Sequence, residues 1–231
     1  MIKYDFHIHS CLSPCGSDDM TPANIAGMSM LAGLDAIALC DHNTALNVPS
    51  IIKACGKYGV KVLCGIEVCT AEDIHVVCYF KTAEDALAFS ENIEENTLKF
   101  DNDAQIYGHQ YIMDAEDGIV GEIPHLLISG CNYSVYELVD ICHQMGGKCF
   151  YAHIDKPSYS VLSVLGVIPE DIPIDGVEIF NMANYQQLIS GGFITEDTPY
   201  MSNSDAHQLE LIGCKESEMA ESHPLYEFLP D

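Results

Sequence analysis

Short apolar, β-branched runs recur along this chain with helix-like segments between them, and that alternation limits its architecture more than any other feature. The runs fall near residues 2–7, 35–40 (DAIALC), 60–66 (VKVLCGI), 74–80 (IHVVCYF), 148–152, 175–179 and 199–202. Helical spacing is read near 22–33, 48–58, 82–96, 134–145 and 183–190. Repeated strand–helix alternation with buried-looking strands predicts an α/β fold around a mostly parallel sheet, open or closed into a barrel. Punctuation agrees with this reading. Thr21 before Pro22 starts a helix, because proline at the first helical position costs no hydrogen bond. Ser134 with Glu137 fits a capping box, and Gly146-Gly147 a helix stop. Residues 97–133 break the pattern: polar and aromatic, without a clean period, they predict an inserted excursion of small helices acting as a cap. At 231 residues the whole chain, 1–231, is expected to be one domain.

Two compositional facts narrow the function. The formal net charge is −26, and all nine basic residues are lysines, with no arginine anywhere. Binding to long nucleic acid rests on Lys and Arg neutralising phosphates, so such a partner is not expected. If the substrate is anionic, its binding charge must come from bound cations. No stretch reaches the roughly 18 apolar residues of a membrane span, and the first strand begins without a signal-like segment, so a cytoplasmic location is expected. The 11 cysteines lack disulfide-like spacing or a C-x-x-C pair and read as buried free thiols, with a thiolate site at Cys11 and Cys15 the lesser alternative.

Histidines and acids gather at the strand ends. In YDFHIHS, His7 and His9 lie two residues apart on a strand and so face one side. Asp41 and His42 follow the second run, Glu67 ends the third, His153 follows the fifth, and Asp205 and His207 follow the last. The carboxyl ends of strands are where α/β folds build their sites. His75 is the exception, because it opens its strand. So many convergent ligands exceed the four that a structural zinc needs, which implies two or three divalent ions, with manganese, iron and zinc the candidates.

The motifs H-x-H-S at 7–10, D-H-N at 41–43, G-I-E at 65–67, H-I at 153–154 and S-D-A-H at 204–207 together resemble those of the PHP (polymerase and histidinol phosphatase) family. The resemblance implies a distorted (β/α)7 TIM-like barrel and a metal-dependent phosphoesterase with a trinuclear site. Carried over residue by residue, the implied ligands are His7, His9, Asp18, His42, Glu67, His75, His153, Asp205 and His207. Glu67 matches an acid that bridges two metals. Asp18 departs from the family's spacing, since SPCGSDDMTP lengthens the loop, and Asp19 is its alternative. Asp41 matches no ligand and is expected to orient a neighbouring histidine.

The expected chemistry is attack on phosphorus by a metal-activated hydroxide, with Glu67, His153 and His207 as catalytic candidates. Lys156, in HIDKPS, is the candidate to contact the substrate phosphate. A small phosphorylated metabolite or a nucleotide is the expected substrate. Another amidohydrolase-like metal hydrolase and a non-catalytic metal-binding regulatory module are the alternatives. His143 and His223 are expected on the surface, and His109 and His125, in the excursion, outside the pocket.

Overall fold

Each of the seven apolar runs forms a strand, and each of the five periodic segments a helix. The computed structural model describes residues 1–215 and 217–230. Its elements in chain order are β1 (Ile2–Ile8), α1 (Pro22–Leu31), β2 (Ala36–Leu39), α2 (Val48–Gly56), β3 (Lys61–Cys69), β4 (His75–Phe80), α3 (Ala83–Glu95), α4 (Ala104–Tyr107), β5 (Tyr111–Met113), β6 (Ile119–Glu122), α5 (Val135–Gln144), β7 (Lys148–Tyr151), α6 (Val161–Leu165), β8 (Gly176–Glu178), α7 (Tyr185–Ser190), β9 (Tyr200–Met201) and β10 (Glu218–Met219). Thr21 and Ser134 cap α1 and α5 as their sequences suggest, and Ser134 and Glu137 complete a capping box.

The main sheet has the order β10-β1-β2-β3-β4-β7-β8-β9. It curls until its two sides meet at one rim, where Ile8 bridges Ala206 in parallel. His9 N–H donates to the Ala206 carbonyl at 2.9 Å, and Phe6 N–H to Asn203 Oδ1 at 2.8 Å. The seven strands of the sequence reading thus form a barrel-like ring, and β10 is a further strand laid antiparallel on the start of β1.

The sheet is less parallel than expected. β4 runs antiparallel to both β3 and β7. Only a tight turn joins β3 to β4, with Thr70 N–H bonded to the Ile74 carbonyl and Asp73 at φ 61°. A parallel return needs about a dozen residues of crossover, which this turn cannot supply. The reversal removes the His75 exception, because the start of an antiparallel strand lies at the rim where its neighbours end.

Side-chain alternation builds two cores. Tyr4, Phe6, Ala36, Ala38, Leu63, Val77, Tyr79, Phe150 and Met201 fill the ring. Ile37, Leu39, Val62, Ile66, Val76, Cys78, Cys149 and Val177 face outward under the helices. Glu67, His75 and Glu178 share the parity of the inner set. On β1 parity alone would turn Ile8 inward with Tyr4 and Phe6. A register shift between Asp5 and Ile8 reverses it, so Ile8 packs outside while His7 and His9 point in.

The 97–133 excursion holds one short helix, α4, and a hairpin of β5 and β6, so it is a β-built element more than the expected set of small helices. The fully buried Gln110 ties it together, donating to the Ile123 and His125 carbonyls and accepting from Leu127 N–H. It packs on the loop after β1: Tyr111 N–H bonds the Cys11 carbonyl, and a Cβ at Gly108 would lie 2.4 Å from the Pro14 carbonyl oxygen. No helix among the described residues is long and apolar enough to cross a membrane.

Candidate metal centre

The register shift on β1, the inward parity of β3 and β4, and the loops that follow β1, β2, β7 and β9 deliver side chains to one rim of the ring. His7, His9, His42, Glu67, His75, His153, Asp205 and His207 meet there. Glu67, buried, lies at the centre. Its Oε1 is 2.9 Å from His75 Nδ1, 3.1 Å from His153 Nε2 and 3.4 Å from His7 Nε2. Its Oε2 is 3.1 Å from His42 Nδ1 and 3.4 Å from His9 Nε2. One carboxylate therefore touches two sets of imidazoles, one set per oxygen. Asp205 Oδ1 approaches His9 Nε2 at 3.2 Å, and the His207 ring stacks on His9 at 4.2 Å. His9, His42 and His207 form one compact ligand group, His7, His9 and Glu67 a second, and His42, Glu67 and His75 a third.

A further set of residues fixes which nitrogens face inward. His7 Nδ1 lies 2.9 Å from Glu178 Oε2, and a carboxylate can only accept, so Nδ1 carries the proton. Glu178 also accepts from His153 N–H at 3.0 Å and from Asn203 Nδ2 at 2.8 Å. Asp41 does orient a histidine, through an intermediary. Ser13 Oγ gives its only proton to Asp41 at 2.7 Å, so it must accept from His9 Nδ1 at 3.0 Å. Ser10 bonds Asp41 with both its N–H and its hydroxyl.

The consequence is a demand for positive charge. With both Nδ1 atoms donating outward, His7 Nε2 and His9 Nε2 face each other at 3.2 Å. Two nitrogen lone pairs at that distance repel unless a proton or a metal cation lies between or beside them. His42 Nδ1, His153 Nδ1 and Asp205 Oδ1 are also buried without a hydrogen-bond partner among the described residues. The same field shifts the affinity of these groups for protons. Burial opposes a charge on His7, yet Glu178, Asp205 and Glu67 raise its pKa well above the usual value. Burial and the nearby His207 bring His9 down to about 4. Burial works against the Glu67 carboxylate, but His75, His7 and His42 hold it well below the ordinary range. Divalent cations fit this donor set of imidazole nitrogens and carboxylate oxygens.

Backbone strain concentrates here. Of the six non-glycine residues at positive φ among the described residues, Asn43 (55°), His153 (30°), Tyr159 (55°) and Asp205 (52°) lie in or beside the cluster. Asn43 joins the excursion to β3, donating to the Leu127 and Ser129 carbonyls and accepting from Cys69 N–H. Such conformations persist only where the surroundings hold them.

Eight of the nine expected ligands are thus brought together, and Asp18 is not. Asp18 and Asp19 are both exposed, and neither bonds to the cluster among the described residues. Their loop folds back on itself through Gly16 N–H to the Ser13 carbonyl and Ser17 N–H to the His207 carbonyl. Gly16 fits only because a Cβ would lie 2.5 Å from the Ser10 carbonyl oxygen.

Lys156 lies at the pocket mouth, paired with Asp205 and 4.4 Å above the Phe180 ring. With Ser158 and Tyr159 it completes a cavity of about 160 Å³ over the cluster. His109 pairs with Glu122, and His125 lines a separate small cavity, so both stand apart from the cluster. His143 pairs with Asp175. His223 departs from its expected surface position: it is partly buried and stacked on Phe150. Sequence reasoning missed Glu178, which closes the short strand β8, and Ser13, in the loop after β1.

Known proteins place these features. A family model described as the PHP domain matches residues 5–160. A 5'-3' exoribonuclease from Haemophilus influenzae is 30% identical over 78 residues, which are 32% of this chain and 27% of the exoribonuclease. A lesion-specific endonuclease from Pyrococcus furiosus superposes with a TM-score of 0.61 at 21% identity, over 90% of this chain and 49% of that one. An amidohydrolase from Chromobacterium violaceum superposes at 0.65 with 16% identity, covering 98% and 97% of the two chains. This chain therefore spans about a quarter of the exoribonuclease and about half of the endonuclease.

Proposed function

This chain belongs to the PHP domain family, and we propose that it is a metal-dependent phosphoesterase hydrolysing a phosphate ester of a small metabolite or nucleotide at a cluster of two or three divalent ions. The observation that carries this reading is the pair of inward-facing Nε2 atoms of His7 and His9, 3.2 Å apart and flanked by Glu67 and Asp205. When bound, divalent metals at such a cluster acidify water and draw off charge that develops on phosphoryl oxygens.

The chain's own residues supply the rest. His7, His9, His42, Glu67, His75, His153, Asp205 and His207 would hold the ions, and each Glu67 oxygen faces its own set of imidazoles. Glu178, and Asp41 through Ser13, fix ring orientation and turn the Nε2 atoms of His7 and His9 toward the ions. His207 donates Nδ1–H to the Asp205 carbonyl at 2.9 Å, which leaves its Nε2 for the cluster. Lys156 meets the substrate's anionic oxygens as a point charge at the mouth. Manganese, iron and zinc all suit the donors.

The net charge of −26 and the absence of arginine favour a small ester over long nucleic acid. A second reading, hydrolysis of nucleic-acid phosphodiesters, is favoured by the likeness to the exoribonuclease and the endonuclease. A panel of small phosphomonoesters, mononucleotides, short oligonucleotides and duplex DNA, offered to manganese-loaded protein, separates the two. Turnover is expected on the small esters. Preference for the duplex at physiological salt overturns the substrate assignment. Elemental analysis finding at most one ion per chain, with no uptake on reconstitution, overturns the metal cluster.

A further inference from the structure

A second group of ligands lies on the opposite face of the sheet. Cys78 on β4 and Cys149 on β7 are register partners across an antiparallel pair, with sulfurs 3.7 Å apart. Cys142, from α5, comes down on them, and the three sulfurs lie within 4.8 Å of one another. All three residues have zero exposure. The group packs in the outer core, separated from the histidine rim by the sheet itself.

Close approach at this spot is enforced by a glycine. A Cβ at Gly147 would lie 2.5 Å from Cys142 Sγ and 2.7 Å from the Phe80 ring, so no other residue lets α5 turn into β7 so tightly. We propose that Cys78, Cys142 and Cys149 form a three-coordinate thiolate site for a soft divalent cation of the zinc and cadmium type.

Distance and charge both support this. Three sulfurs about 2.3 Å from a central ion sit about 4.0 Å apart when the ion lies in their plane. The Cys78–Cys149 pair, at 3.7 Å, lies close to that value, and Cys142 Sγ is within 4.8 Å of both. All three are free thiols in the structure, so each sulfur is available as a ligand. Binding releases three protons as three S–H groups become thiolates on one ion. A divalent ion then leaves one net negative charge in the core, where a monovalent ion leaves two. Buried net charge is costly, so the divalent ion is preferred, and thiolates select soft ions over the harder ones suited to the histidine rim.

The test uses the full chain, refolded under reductant with and without Cd²⁺, because the fully buried sulfurs take up an ion most readily during folding. A sulfur-to-cadmium charge-transfer band in the ultraviolet is expected to saturate at one equivalent; imidazole and carboxylate ligands give no such band. It should vanish in Cys142→Ala and persist in Cys55→Ala, a lone buried cysteine elsewhere in the core. If Cys142→Ala fails to fold, ¹¹³Cd resonance of the unaltered chain decides the matter. A signal far downfield, in the range of three thiolates, supports the site. Signals confined to the nitrogen–oxygen range, or a band that survives Cys142→Ala and is lost in Cys15→Ala, overturn it.

Discussion

Glu178 touches no expected metal position yet controls one through His7 Nδ1, His153 N–H and Asn203 Nδ2. Glu178→Gln replaces an obligatory acceptor with an amide that can present a donor to His7 and invert its tautomer. Metal affinity is expected to fall about 10–100-fold while the fold persists, the usual range for partners that orient a ligand. Isothermal titration with manganese beside circular dichroism measures both. Glu67→Gln should lose metal and activity together, since its two oxygens contact five imidazoles. At Lys156, Lys156→Met should lower kcat/KM by the equivalent of about 1–3 kcal/mol with metal content unchanged. An unaltered kcat/KM assigns phosphate binding to the metals and the backbone alone. The candidate ligands were legible because histidine and acid recur at strand ends in fixed motifs. Glu178 was not singled out, because a lone acid closing a three-residue strand carries no motif. The displacement of Asp18 was not readable either, since it depends on how a loop with a close-packed glycine folds back.

Elements were recoverable where their signals are local. Ser134 caps α5 through Glu137 N–H at 3.3 Å, and the Glu137 carboxylate returns to Ser134 N–H at 2.9 Å. Ser134→Ala should cost about 1 kcal/mol in chemical denaturation, with activity retained. The direction of β4 was also within reach of the sequence, because five residues between Cys69 and His75 cannot carry a parallel crossover. The register shift on β1 was not. It arises from pairing with β2 across the sheet, and nothing in IKYDFHI marks it. The β5–β6 hairpin was hidden for a related reason: its strands are three and four residues long and largely unburied, so they show too little alternation to be read.

At the scale of the whole molecule, net charge and pocket charge oppose each other. A −26 surface repels the anion that the metal rim attracts. Added salt screens the exposed charges, whose influence extends about 10 Å at 0.1 M, more than those of a buried cluster. Raising ionic strength from about 0.01 to 0.15 M should therefore speed substrate capture severalfold, read as kcat/KM at constant metal. A fall instead would show that the local positive field governs encounter. The bridge between Ile8 and Ala206 has a consequence in time as well as space. His7 and His9 leave the ribosome about two hundred residues ahead of the segment carrying Asn203, Asp205 and His207. Throughout that interval the two rings wait on an unclosed strand edge. The ring of candidate ligands is therefore complete only once that second segment has been made and docked on β1, and an ion meeting the chain earlier would find no complete set of partners to retain it.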